Sequence, residues 1–273
     1  MRSANWWLGF SLALYGTDAL AWGLEAHVFF AQQALLLAAS LAPGLRHAAL
    51  SYPRLLLAGA LLPHLPSPPA RERPPQAGDA GAHDWRIARR HAASECTEER
   101  AIAVGYASHL IADEVLRERW VAAPGLRAGS AEGRASIERA MDEHVRFAVL
   151  LRPSELLEAE CATLAAVLAA RTRWREADAR AAIRSFAHAE ARARRAPHGH
   201  LGGPSASAQD SQLADLLEES AREVARRLAG LGLQLEAHAA PAPTAVDLPR
   251  DHGGCADSRP AACGPGRPAL ARA

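Results

Sequence analysis

Apolar residues in this chain recur at helical intervals, and no run shows the two-residue alternation of a half-buried strand. The clearest case is 210–236, where Leu213, Leu216, Leu217, Val224, Leu228 and Leu231 fall on one stripe. Similar Gly- and Pro-poor segments predict helices over 22–41, 54–62, 98–119, 131–151, 153–172 and 174–195. Pro153 opens one of them at a favourable first-turn position, and Pro63 stops another. Helices without a sheet must bury their apolar stripes against one another, so the expected fold class is all-α, a multi-helix bundle. The stripe over 210–236 is then core, or a contact for a partner helix.

Between these segments, 63–82 reads as a Pro-rich loop and 196–208 as a flexible connection. Residues 239–273 carry too little apolar content to repay the entropy of ordering and read as a disordered tail. At the other end, Arg2, the apolar run "WWLGFSLALYG" and Ala19-Leu20-Ala21 read as an export signal with an A-x-A cleavage pattern, the alternatives being an uncleaved anchor or an accident of an Ala-rich chain. The run is short for a spanning helix, which needs roughly 20 residues. Residues 1–21 are therefore expected to be removed, leaving Trp22 with a free α-amine. The mature helical domain is expected over 22–238, enough for one sizeable core.

Lys+Arg number 31 against Asp+Glu 30, and every one of those bases is arginine. A balance this close creates no global field toward nucleic acid or anionic lipid. The few aromatics also argue against a basic–aromatic surface for single strands. Of four cysteines, Cys255 and Cys263 would staple only the tail, and three pairings are open.

The residues that carry chemistry are histidines. In "GYASHLIADEV", His109 and Asp113 lie four apart, on one helix face and about 6 Å apart along the axis. Imidazole nitrogen and carboxylate oxygen are ordinary zinc ligands, although the pair by itself reads first as a helix-surface ion pair. Val104, Leu110, Ile111 and Val115 around it predict burial, and a buried charged pair needs partners. His27, His64 at the end of "LAGALLPH" and His83 in "HDW" are the further candidates.

"AWGLEAH", "LAGALLPH", "HDW" and "GYASHLIAD", in this order and spacing, resemble the bacterial zinc-dependent phospholipase C family, whose relatives include fungal single-strand nucleases. The resemblance covers roughly 22–150. It implies a helical bundle holding up to three zinc ions, with the mature N-terminal Trp binding metal through its amine and carbonyl. Trp22 and His27 would then hold one ion and His83, His109 and Asp113 another, with Asp113 bridging. The departures are specific. His64 stands where the family carries an aspartate, Arg117 where it carries a histidine, and Arg134 with Glu138 where it carries an H-x-x-x-E pair. Arginine stays protonated and cannot ligate zinc. Two zinc ions are therefore expected, with Arg117 and Arg134 clamping phosphate oxygens and Glu138 orienting them.

The resemblance implies an exported zinc-dependent phosphodiester hydrolase of the phospholipase C type. Its substrate would be phospholipid or another phosphodiester, with transient contact at the membrane surface. The competing readings are a catalytically silent metal-binding domain for lipid or a partner, and a single-strand nuclease. Asp142 and His144 read as a solvated face, with Asp142 within possible reach of the site, and His91 reads as surface. His198 and His200 sit in a connecting loop. Gly202-Gly203 lacks a phosphate-loop context, and Ser108 lies inside a helix without the turn a nucleophile needs.

Overall fold

The computed structural model describes residues 23–65, 84–122, 131–171, 175–195 and 206–239. Side chains are described over the same ranges except 120–122, 131–137, 171, 206–210 and 231–239. The expected signal at 1–21, residues 66–82 of the expected loop, His198, His200 and the tail from 240 onward lie outside the described residues. Among those described, the chain is helical without a strand, as the periodicity predicts. In order, the helices are α1 (Leu24–Leu36), α2 (Pro43–Ser51), α3 (Pro53–Gly59), α4 (Trp85–Ala92), α5 (Thr97–Ala122), α6 (Ala131–Val145), α7 (Pro153–Arg171), α8 (Glu176–Arg195) and α9 (Ala206–Ala239). Short 3-10 turns at Ala38–Ser40 and Leu62–His64 follow α1 and α3.

Helices α2 and α4 are absent from the sequence-based expectation. They have nine and eight residues, too short to persist alone. Each is started by a local device and held by packing on α5. Pro43 occupies the first turn of α2, and the Asp84 side chain accepts the Arg86 N–H at 2.7 Å to cap α4. The segment expected at 54–62 ends as helix at Gly59, and Pro63 sits in the 3-10 turn that carries His64.

Helix α5 organises the rest, packing against α1, α2, α3, α4 and α9. Residues 101–113 are buried without interruption; Asp113 is the one carboxylate in that run, and the other charges lie toward the ends. A helix buried on every face belongs in the middle of a bundle. Leu213, Leu217, Ala221, Val224 and Leu228 of α9 are buried in the same core, which assigns the stripe on α9 to this fold rather than to a partner.

The tightest packing is the crossing of α3 over α5. A Cβ at Gly105 would lie 1.8 Å from the Leu56 carbonyl oxygen, and one at Gly59 would lie 2.5 Å from that of Ile102. Both obstacles are backbone and cannot rotate away. Gly105→Ala should therefore abolish folding or cost more than about 3 kcal/mol, as an overpacked core does at its worst. Gly230→Ala, with nothing within 4 Å of the new methyl, should be neutral or stabilise α9 by up to about 1 kcal/mol. Thermal unfolding of the two variants side by side checks the contrast.

Candidate metal centre

Three elements bring their side chains together beside this crossing. His27 comes from the first turns of α1, His64 from the end of the 3-10 turn after α3, and His109 with Asp113 from the buried middle of α5. The His27 and His109 rings stack, centroids 3.8 Å apart and 18° between planes. His64 meets both edge-on, at 5.0 Å and 4.8 Å. One ligating nitrogen from each ring lies within 4.8 Å of the others. Phe186 of α8 stacks behind His64 at 6.5 Å and 17°.

The hydrogen bond of His109 fixes its chemistry. Nδ1 lies 2.9 Å from the Ala60 carbonyl oxygen, which can only accept, so Nδ1 carries the proton. In the neutral ring, Nε2 then presents its lone pair to Asp113 Oδ2, 3.4 Å away. His27 Nε2 faces the other carboxylate oxygen, Oδ1, at 3.5 Å. These separations are long for N–H···O bonds, which run about 2.7–3.2 Å. They match the edge of a ligand tetrahedron with bonds near 2.1 Å, roughly 3.4 Å. The donor set fits a metal ion: imidazole nitrogens, one charged carboxylate, and a carbonyl behind one ring fixing its tautomer. A buried His27–His64–His109 group that can hold a metal ion is thus part of this fold.

His27 is placed by a second device. Gly23 at the start of α1 has no side chain to cap the helix, and Asp142 of α6 supplies one from outside. Its Oδ1 accepts the Ala26 N–H at 2.9 Å. A Cβ at Gly23 would sit 2.2 Å from that carboxyl group, so the glycine makes room for the cap. Burial pushes the Asp142 carboxyl up to about 7, against the lowering effect of the backbone N–H groups. Glu25 beside it is buried as well. It is held by Arg194 at 3.0 Å and Arg146 at 3.6 Å, and burial still raises it. Asp142 is therefore a structural cap and not the solvated residue expected, whereas His144 is exposed as expected.

His91 is also corrected. It is fully buried, with Nδ1 3.4 Å from Glu99, and joins α4 to α5 instead of facing solvent. Its neighbours in "ARRHAAS" gave no apolar periodicity, because α4 buries only one narrow face. Ser108 is buried and donates to the Gly105 carbonyl at 2.7 Å, which suits a packing role.

Of the other predicted site residues, Arg117 and Glu138 have described side chains, and neither belongs to the histidine group. Arg117 is exposed one turn beyond Asp113, and Glu138 is half-buried on α6. Arg134 lies within α6, but its side chain is outside the described residues, as are Trp22 and His83 entirely. The residues just after His83 are anchored: the Trp85 indole N–H donates to Glu114, beside Asp113, at 3.1 Å. Sequence reasoning missed Phe186 and the Ala60 carbonyl. The first looks like any apolar residue, and the second is backbone, so neither leaves a signal in the sequence. No family model, curated protein or solved structure matches the chain.

A divalent transition-metal ion titrated into the purified protein should bind in a pH-dependent way, with affinity falling at lower pH because protons compete for the ligand nitrogens. His64→Ala should weaken it by more than about a hundredfold, since even losing a ligand's hydrogen-bond partner costs roughly 10–100-fold. Isothermal calorimetry across pH checks both.

Asp142 gives a separate signature. The folded carboxyl keeps its proton to about 7, while the unfolded one loses it near 3.8. Between those values the folded state binds more protons, so this group's contribution to stability falls as pH rises. Asp142→Asn keeps the accepting oxygen and removes the titration. It should gain stability relative to the native protein above pH 7 and lose that advantage toward pH 4, as read by thermal melts.

Proposed function

We propose that the chain is a zinc-dependent phosphodiester hydrolase of the phospholipase C type, acting after export on phospholipid or another phosphodiester. The observation that carries the proposal is the pairing of His27 and His109 with opposite oxygens of one buried carboxylate, Asp113. His27, His64, His109 and Asp113 would hold zinc, with Trp22 and His83 completing the ligand sets. Zinc bound there would supply Lewis acidity toward a phosphoryl oxygen and would activate water near neutral pH.

The chain's own residues do the positioning. The Ala60 carbonyl holds His109 in the tautomer that offers Nε2, and Phe186 backs the ring of His64. Asp113 contributes the one negative charge among the four donors. Arg117, on the same face of α5 as His109 and Asp113 by its four-residue spacing, extends from that face into solvent. There its guanidinium can fork onto phosphate oxygens, and Arg134 would act beside it.

One observation favours the silent metal-binding reading. His27 and His109 are fully buried and Asp113 nearly so, and closed sites are the mark of structural zinc. Half-buried His64 is the open side of the group. The two readings diverge in a single experiment on the zinc-loaded protein with an aromatic phosphodiester and a soluble short-chain phospholipid. The enzyme hydrolyses one of them, loses turnover to background in His109→Ala, and loses about tenfold or more in Arg117→Ala with zinc content unchanged. The silent domain hydrolyses neither, and His109→Ala lowers only its melting temperature.

A further inference from the structure

The first turn of α1, which carries His27, is weakly held by its own bonds. Gly23 offers no side chain to cap it, and the His27 N–H reaches the Gly23 carbonyl at 3.3 Å, beyond the usual range of about 2.7–3.2 Å. The support comes from other helices. Asp142 of α6 accepts the Ala26 N–H. Glu25, 4% exposed, is gripped by Arg194 of α8 at 3.0 Å and by Arg146 of α6 at 3.6 Å. Glu25 and His27 are two residues apart, so their side chains leave the helix about 200° apart. The ion pair therefore holds the back of the turn whose front stacks His27 on His109.

Arg194 departs from the habit of its neighbours in choosing this partner. Acids and bases four residues apart pair along a helix, as Glu176 does with Arg180 and Glu218 with Arg222. Glu190 stands four residues before Arg194 on α8. Among the described residues, Arg194 makes no ion pair with it and crosses to Glu25 of α1 instead. Two turns earlier on α8, Phe186 stacks on His64 at 6.5 Å and 17°. The two positions are about 12 Å apart along the axis and 80° apart around it, so one side of the helix carries both. Helix α8 packs along α7 and gives no member to the histidine group. It nevertheless touches the supports of two of the three histidines.

We propose that α8 is a brace for the metal centre, in which Arg194 positions His27 through Glu25 and Phe186 positions His64. The inference rests on the histidine group binding a metal ion and is independent of any hydrolysis. Neither residue ligates. Each fixes the direction of a ring from behind, as neighbours of metal ligands commonly do. Without Arg194, Glu25 keeps only the longer contact to Arg146, and a carboxylate so poorly matched in the interior turns toward water. A roll of the turn in that direction swings His27 out of register with His109 and Asp113.

The test is titration of the full chain with cobalt(II), whose visible bands report ligand geometry, in parallel with thermal melts. Arg194→Met should lower cobalt affinity about tenfold or more and shift the bands. Arg194→Lys, which still reaches a carboxylate, should recover most of the loss. In a Glu25→Gln background, Arg194→Met should have little further effect, because the arginine acts through that carboxylate. Phe186→Leu, a milder change to the core, should shift the bands through His64. Leu228→Ala, in the core of α9, should lower the melting temperature and leave affinity and bands native. Arg194→Met with native affinity and bands overturns the proposal. So does a loss that Leu228→Ala reproduces at the same fall in melting temperature, which would make the ion pair a packing contact only. Native protein that takes up no cobalt defeats the metal centre itself and the brace with it.

Discussion

The close approach of α3 and α5 governs both the fold and the site. Gly59 and Gly105 let two backbones touch, and nothing larger fits at either position. Because the helices meet there, the Ala60 carbonyl reaches across to His109 Nδ1, and the turn after α3 delivers His64 onto the same ring. Stability and chemistry thus share one geometric source. A methyl group's worth of separation would loosen the core and also remove the hydrogen bond that decides which histidine nitrogen is offered.

Several polar groups in the interior are paired between elements. Helix α1 borrows its cap from α6, and α4 is tied to α5 through His91 with Glu99 and through Trp85 with Glu114. Gln32 serves the turn between α6 and α7 through both ends of one amide. Each such bond satisfies a group whose burial would otherwise cost about 1–3 kcal/mol. Each also joins residues distant in sequence, so the polar network fixes how the helices are arranged while the apolar stripes supply most of the driving force. On the surface, arginine does a lighter version of this work. Arg227 of α9 reaches Glu118 of α5 with both forks, an exposed contact worth little energy but consistent in direction.

The long helices were legible because their periodicity runs over many turns, and the chain lacks any competing strand signal. His109 and Asp113 were legible by their helical spacing and His27 and His64 as candidate residue types elsewhere in the chain, and the fold brings those four together. What could not be read is of three kinds. Helices α2 and α4 are too short for a period to accumulate and exist because α5 offers them a surface. His91 and Asp142 sit in polar sequence yet are enclosed by segments remote from them, which local pattern cannot report. Ala60 acts through its backbone and Phe186 through its position, and neither role alters which residue is written in the chain.

His64 has one consequence that extends to the supply of metal. With imidazole at this position, the described group offers three nitrogens and, with Asp113, a single negative charge. Hard ions such as magnesium and calcium, which want several oxygens, are poorly served by it even where they are abundant. The same choice favours the late transition metals and, by the general order of their affinities, copper above zinc. Selectivity against the common cations is thus built into the side chains, while selectivity against copper has to come from what the compartment provides as the chain folds.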